Sequence, residues 1–248
     1  VDAPGDARPV IDTISDVPLD VAVDRAPKPS DGLLIYYSFD LIAGNTVADL
    51  SGNSRTGMLN GQCSLTTGMV NKALVLTPST TDAGSGYVIV PGAWIPSTSA
   101  MTLAVWIRLE NIVSWQRVFH FGLGANGNSF MFLAVSTPQT GGMRFAIQGG
   151  TDGGLIQPTI DGPALPAKHW KHVAIVLTGT AGRLYVDGVL AASNTKIPLR
   201  PSDLGETAGN WIGKSEFAWD PTFDGQVDEF RIYDRALSAS EIATLATP

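Results

Sequence analysis

The stretch Phe223-Asp224-Gly225-Gln226-Val227-Asp228-Glu229-Phe230-Arg231-Ile232-Tyr233 decides how this sequence is read. Apolar and polar residues alternate along most of it, the pattern of a half-buried strand. Strict alternation places Asp228 on one face with Phe230 and Ile232, and Val227, Glu229, Arg231 and Tyr233 on the other. If Phe230 and Ile232 enter a core, Asp228 enters it with them. A buried carboxylate is costly unless it is paired, hydrogen-bonded or metal-bound. Asp228 therefore needs a partner, either an arginine such as Arg231 or Arg235, or a cation.

Working outward, the chain from Leu33 onward repeats this strand pattern. Leu33, Ile35, Tyr37 and Phe39 alternate up to Asp40, and turn-rich sequence follows through Gly44-Asn45 and Asp49-Leu50-Ser51-Gly52-Asn53. Further short strands are predicted over 72–76, 86–90, 102–109, 117–123, 130–135, 143–147, 172–177, 183–186, 189–192 and 210–213. Asp187-Gly188 between two apolar runs signals a two-residue hairpin. Only Ser238 to Leu245 reads as helix, with Ser238 as N-cap and Glu241 completing a capping box. Many short strands without βαβ alternation give an all-β fold. The expectation is a two-sheet antiparallel jelly-roll sandwich with one short C-terminal helix.

Residues 1–30 differ in kind. Seven aspartates up to Asp31 stand against Arg8, Arg25 and Lys28, which accounts for −4 of the chain's −7, and five prolines but no aromatic residue occur there. They read as a flexible or loosely docked acidic linker, with residues 31–248 as the domain. The acidic balance argues against nucleic acid, whose phosphates need a basic surface. No apolar run reaches the roughly 20 residues of a membrane-spanning helix. Cys63 is the only cysteine and there are three histidines, which leaves no thiolate zinc motif but leaves oxygen-ligated cations open.

Three stretches together resemble the laminin-G-like, concanavalin A-like jelly-roll domains of secreted bacterial proteins. They are Leu34–Asp40 with Asp49-Leu50-Ser51-Gly52-Asn53; Trp170-Lys171-His172-Val173-Ala174 with Leu184-Tyr185-Val186-Asp187-Gly188; and Gly213 through Tyr233 with Arg235-Ala236-Leu237-Ser238. The resemblance implies a secreted or cell-surface domain, and the acidic, proline-punctuated spacer ahead of it resembles the tethers that follow secretion or lipoprotein signals in bacteria, which adds the expectation of a lipid anchor through a removed N-terminal segment. It also implies that Asp40 and Asp228 lie on neighbouring strands. A structural calcium ion held by Asp40 and Asp228, with carbonyls from Gly44 or Asn45, would answer the desolvation problem of Asp228.

For catalysis, the best carboxylate cluster is Asp220, Asp224, Asp228 and Glu229. No Glu-x-Asp-x-x-Glu run and no Gly-x-Ser-x-Gly motif is present, so a glycoside hydrolase is the less favoured reading and a non-catalytic binding module the preferred one. Sugar-binding proteins stack aromatic rings on sugars and ring them with polar groups. The aromatic and polar residues of predicted loops are the candidates: Trp115, Arg117, Asn126, Trp219 and Asp220, with Asn128 beside them and Trp94 and Trp211 also near loops. A glycan or cell-surface ligand is expected, and a protein–protein adhesion or scaffold role is the alternative.

Overall fold

In the computed structural model, residues 28–92, 99–123, 128–151 and 154–248 are described. The predicted linker lies outside them as far as residue 27, as do Trp94 and Asn126. The first part of the chain supplies β1 (Leu33–Tyr37), β2 (Ile42–Ala43), β3 (Thr46–Val47), β4 (Gly57–Asn60), β5 (Cys63–Thr67), β6 (Lys72–Leu76) and β7 (Tyr87–Ile89). The middle supplies β8 (Met101–Leu109), β9 (Arg117–Gly122), β10 (Phe130–Ala134), β11 (Arg144–Thr151), β12 (Gly154–Ile156) and β13 (Thr159–Asp161). Then follow β14 (Trp170–Leu177), β15 (Gly182–Val186), β16 (Val189–Asn194), β17 (Gly209–Ile212), β18 (Gly225–Tyr233) and the helix α1 (Ala239–Leu245).

The strands form two antiparallel sheets. The eight-stranded front sheet runs β16-β15-β14-β8-β18-β6-β5, with β1 also paired to β18. The ten-stranded back sheet runs β12-β11-β10-β9-β17-β7-β4-β3-β2, with β13 beside β11. Inward-facing Ile35, Leu103, Val105, Ile175, Phe230 and Ile232 of the front sheet meet Val88, Phe119, Phe121, Met131 and Phe145 of the back sheet in one core. This is the expected jelly-roll sandwich. The predicted Asp187-Gly188 turn is present, with both residues at positive φ (50° and 79°) between Val186 and Val189, which pair. That is the conformation a two-residue hairpin requires. Ser238 caps α1, and its capping box with Glu241 is complete.

The closing strand departs from the alternation in its sequence. Asp228 pairs with Trp106, but Arg231 pairs with Ala104, so β18 holds one residue more than β8 over this interval. The surplus is a bulge, and Glu229 adopts the left-handed conformation (φ 55°) within it. The bulge resets the faces: Val227, Phe230 and Ile232 all enter the inter-sheet core. Asp228 therefore does not share the Phe230 face, which corrects the sequence reading. It lies across from Trp106 on the outer face of the front sheet, where it is nevertheless fully buried.

What buries it is the β5–β6 turn. Along one edge of β18, residues 225–227 pair with β6 and residues 230–233 pair with β1. The two partner strands thus meet end to end beside Asp228 and Glu229. Asp228 Oδ2 accepts hydrogen bonds from the Met69 and Val70 amides at 2.9 Å each, and Asp40 Oδ1 accepts one from the Lys72 amide at 3.0 Å. Neither arginine proposed for Asp228 reaches it: Arg231 pairs with Glu229, and Arg235 with Glu241. Gly68 makes this approach possible. A Cβ there would lie 2.6 Å from Asp228 Oδ2 and 2.7 Å from the Lys72 backbone.

The outer face of the front sheet is partly covered by α1, whose Ile242 and Leu245 pack on Ala104, Ala174, Tyr185 and Tyr233. Lys28, just inside the predicted linker boundary, docks there and donates to the Thr244 carbonyl at 3.0 Å. Gly68→Ala should lower stability by about 1–3 kcal/mol through overpacking. Gly150→Ala, where nothing lies within 4 Å of the new methyl group, should stay within about 0.5 kcal/mol. Urea unfolding of the two variants measures the difference, and equal midpoints would remove the Gly68 contact from the account.

Candidate functional site

The outer face of the back sheet is where the loop residues singled out in the sequence converge. On β10, Met131 and Leu133 enter the core, which leaves Phe130, Phe132 and Ala134 pointing the other way. A sandwich has one core, so this second apolar face must be covered by something else. The cover is the 213–223 loop, whose Phe217 packs with Trp115 against Phe130 and Phe132. Phe217 lies edge-on to Phe130 at 5.6 Å and stacks with Trp219 at 5.4 Å.

Between loop and sheet lies a cleft of about 550 Å³, lined among others by Trp115, Arg117, Asn128, Phe132, Trp219 and Asp220. Four of the five predicted ligand residues, Trp115, Arg117, Trp219 and Asp220, are thus brought to one place. Asn126 lies outside the described residues. The guanidinium of Arg117 sits 3.9 Å from the Phe132 ring centre and 5.2 Å from that of Trp115. It donates to Asp220 Oδ2 at 2.8 Å and to the Trp115 carbonyl at 3.0 Å. Burial pulls the Arg117 pKa down to about 10, against the pull of Asp220 and Glu216. Ser215 donates to the same Asp220 oxygen at 2.7 Å from within the loop, and the Arg117–Asp220 pair fixes the loop to the sheet. Trp219 remains 82% exposed, an indole face offered to solvent at the cleft. The opposite wall is polar: Gln157 donates to Gln148 at 3.1 Å, Gln148 donates to the Asn128 carbonyl, and Arg144 makes a two-point ion pair with Asp161.

Phe130, Phe132, Phe217, Gln148 and Gln157 were not singled out in the sequence. One signal was there to be used: the run 130–135 is apolar at every position up to Val135, on both faces of a strand. Beneath the floor lies a further pair that the sequence did not mark. His120 of β9 is fully buried, with Nε2 3.4 Å from Glu216 Oε2, long for a hydrogen bond. Neither ring nitrogen and neither Glu216 oxygen has a hydrogen-bond partner. Gly122 leaves the space that Glu216 fills, because a Cβ there would come within 3.3 Å of Oε2.

The predicted cation ligands are placed as follows. Asp40 and Asp228 both serve the β5–β6 segment, and Asp228 Oδ1 is buried without a partner. Burial, with the charges of Glu229 and Asp40, pushes the Asp228 carboxyl up to about 7 despite its two amide bonds. An orphaned carboxylate oxygen next to a second acid suits a hard cation. Gly44 and Asn45 form the exposed turn between β2 and β3 in the back sheet, and the Asn45 carbonyl accepts the Leu59 amide. Among the described residues, no three or more His, Cys, Asp or Glu side chains cluster as a metal site. Asp49 accepts amides from Tyr36, Ser51 and Arg55 and organises its turn.

Burial, outweighing Glu216, holds His120 below its ordinary pKa, and His172 is pushed down to about 3 chiefly by burial. The folded protein thus refuses protons that the unfolded chain accepts below about 6.5. Their contribution to stability is complete above that pH and is lost as pH falls towards the folded values. Asp228, raised to about 7, takes up a proton in the folded state over the same window and offsets part of this loss. Melting temperature should therefore drop between about pH 6.5 and pH 5 less steeply than two histidines alone would give, with a still shallower slope in His120→Phe. Thermal melts across that window check it; parallel slopes would show that His120 titrates normally.

The family model described as the concanavalin A-like lectin/glucanases superfamily matches residues 82–243. No curated protein sequence matches the chain. Domain 4 of AbnA, an extracellular arabinanase of Geobacillus stearothermophilus solved with arabinotriose, is 27% identical with a TM-score of 0.66, over 86% of this chain and 98% of that one. The botulinum neurotoxin DC binding domain in complex with SialylT is 13% identical with a TM-score of 0.63, over 88% of this chain and 51% of that one. The same toxin domain in complex with rat synaptotagmin II is 14% identical with a TM-score of 0.64, over 88% and 52%. At those identities the toxin domains share the fold, and this chain spans about half their length. No helix among the described residues is long and apolar enough to cross a membrane. From Asp82, just ahead of β7, into α1, then, both the sandwich and the sequence carry one signature, and the chain belongs to the concanavalin A-like lectin/glucanases superfamily.

Proposed function

We propose that this protein is a non-catalytic, extracellular glycan-binding module whose ligand lies in the cleft between Trp219 and the Gln148–Gln157 wall. The observation that carries the reading is Trp219, an exposed indole backed by a stacked Phe217 above a cleft of ordinary ligand size. A ring held from behind loses little freedom when a sugar stacks on its free face. The side-chain amides of Gln148 and Gln157 supply donors and acceptors for hydroxyls. The arabinotriose complex of the AbnA domain supports a sugar as ligand and an extracellular setting.

The state of the acids supports a binding role over hydrolysis. Glu229 is buried between Tyr36 and Arg231, Asp228 is buried under the β5–β6 turn, and Asp220 is committed to Arg117. Asp224 accepts from Asn111 at 2.6 Å. A glycosidase needs two carboxyls facing a common cleft, and among the described residues Asp220 is the only acid lining the aromatic cleft. We further propose a structural calcium ion held by Asp40 and Asp228, with carbonyls of Gly44 or Asn45 completing its shell. It would neutralise the buried Asp228 oxygen and join the first strand to the last.

Titration calorimetry with linear arabino-oligosaccharides, alongside a glycan array, tests the binding reading. Trp219→Ala should weaken binding by at least about tenfold, about 1.4 kcal/mol. Its folding stability should change by less than about 0.5 kcal/mol, because the side chain is exposed. Absence of binding across the array would favour a protein partner instead. For the ion, melting with calcium in hundredfold excess over its dissociation constant should gain about 2.7 kcal/mol over the chelated protein. Asp228→Ala should remove that gain, and an unchanged melt on chelation would dismiss the ion.

A further inference from the structure

The 213–223 loop has a second side. Beyond it lies a larger depression of about 900 Å³, which shares Phe217 and Asp220 with the aromatic cleft. The loop is therefore a partition between two adjoining clefts. The far wall of the second one is built from Asp82 and the segment Asn111–Val113.

Its side chains are arranged for contact with a polyol. Asn111 Nδ2 donates to Asp224 Oδ2 at 2.6 Å, which presents an amide oxygen and a carboxylate edge side by side. Neighbouring hydroxyls on a sugar ring can engage both. Beside them, Ile112 and Val113 expose 41% and 49% of their surface, an apolar strip that can take the C–H face of a ring. The floor is rigid: Gln116 is buried, accepts the Val113 amide and donates to the Thr222 carbonyl.

The charge of this cleft sets the ligand class. Among the described residues Lys214 is the only cation in its lining, and Asp82 neutralises it at 2.7 Å. The ammonium also lies over the Tyr87 and Trp211 rings, which holds it to the back sheet. Asp224 has no cation beside it among the described residues and leaves the surroundings negative. An anionic chain meets like charge here, on a protein whose net charge is −7.

We infer that the two clefts form one groove for an extended, uncharged polysaccharide chain that crosses the 213–223 loop, with Asn111, Ile112, Val113 and Asp224 as its second set of contacts. This rests on the reading of the aromatic cleft as a glycan site. Contacts on both sides of the loop act on one ligand, so the second set is gained at high effective concentration.

The test is calorimetry with linear arabino-oligosaccharides of about two to eight units, compared with oligogalacturonates of the same lengths. Affinity for the neutral series should rise at least about tenfold from the shortest binder to the longest. The double variant Asn111→Ala/Asp224→Ala changes surface side chains only, and its melting point verifies its fold. It should remove the gain with length while binding the shortest oligosaccharide as the wild type does. Oligogalacturonates should bind at least about tenfold more weakly than neutral chains of equal length. Affinity that stays flat with length, a length gain that survives in the double variant, or equal binding of the acidic series overturns the inference. Sensitivity to Trp219→Ala in those same outcomes keeps the single-cleft reading intact. If no neutral oligosaccharide binds the wild type, both readings fall together.

Discussion

One edge of β18 has to serve two partner strands, and much of the front sheet follows from how that is done. β6 occupies the edge as far as Val227 and β1 takes it from Phe230 onward. Between them the backbone of β18 has no regular neighbour. The bulge at Glu229 takes up the extra residue, and its left-handed φ, uncommon for a residue other than glycine, is held by Tyr36 at 2.7 Å and by Arg231. Asp228 and Asp40 then accept the amides that the β5–β6 segment leaves unpaired. Two carboxylates far apart in sequence thus do the work of a missing strand. The remaining cost is Asp228 Oδ1, buried and unpartnered, whose desolvation raises the acid's pKa.

The two outer faces of the sandwich are finished differently, and this places the site. On the front sheet, α1 seals Ala104, Ala174 and Tyr233 with Ile242 and Leu245, and Lys28 ties the chain to the helix end. On the back sheet, a loop does the covering. Loops cover incompletely because their backbone must stay near solvent. The 213–223 loop therefore leaves a cleft on each side, and the Arg117–Asp220 pair anchors it on the sheet, with the Ser215 hydroxyl holding Asp220 from within the loop. An aromatic floor that would merely be core under a helix becomes accessible under a loop.

The sequence made the architecture legible because its strands are short, alternating and bounded by turn residues, and Asp187-Gly188 and Ser238–Glu241 carry their conformations in their chemistry. It located loop aromatics and polar residues about a hundred positions apart, Trp115 and Arg117 against Trp219 and Asp220, because exposed rings on loops need a reason. It could not show that Phe130 and Phe132 belong with them, because a phenylalanine on a strand reads as core whichever face it takes. Strict alternation also misplaced Asp228. A bulge costs one residue of register and leaves no compositional mark when its left-handed residue is Glu229 and not glycine. Burial of Asp228 was foreseen, but on the wrong side of the sheet and under a turn that sequence periodicity does not describe.

The same bulge separates stability from recognition in this domain. Because it turns Asp228 outward on the front sheet, any ion bound there sits on the sheet opposite the aromatic cleft. A cation bound by Asp40 and Asp228 can then stiffen the junction of β1, β6 and β18 without contacting a sugar. The cleft depends instead on β9, β10 and a loop that the Arg117–Asp220 pair anchors to the sheet. A cation bound there would reach the cleft only through the shared core, where Phe121 of β9 meets Phe230 of β18 edge-to-face at 6.5 Å. Stability and binding would then be coupled through packing, because close-packed cores have low compressibility and transmit strain from one sheet to the other.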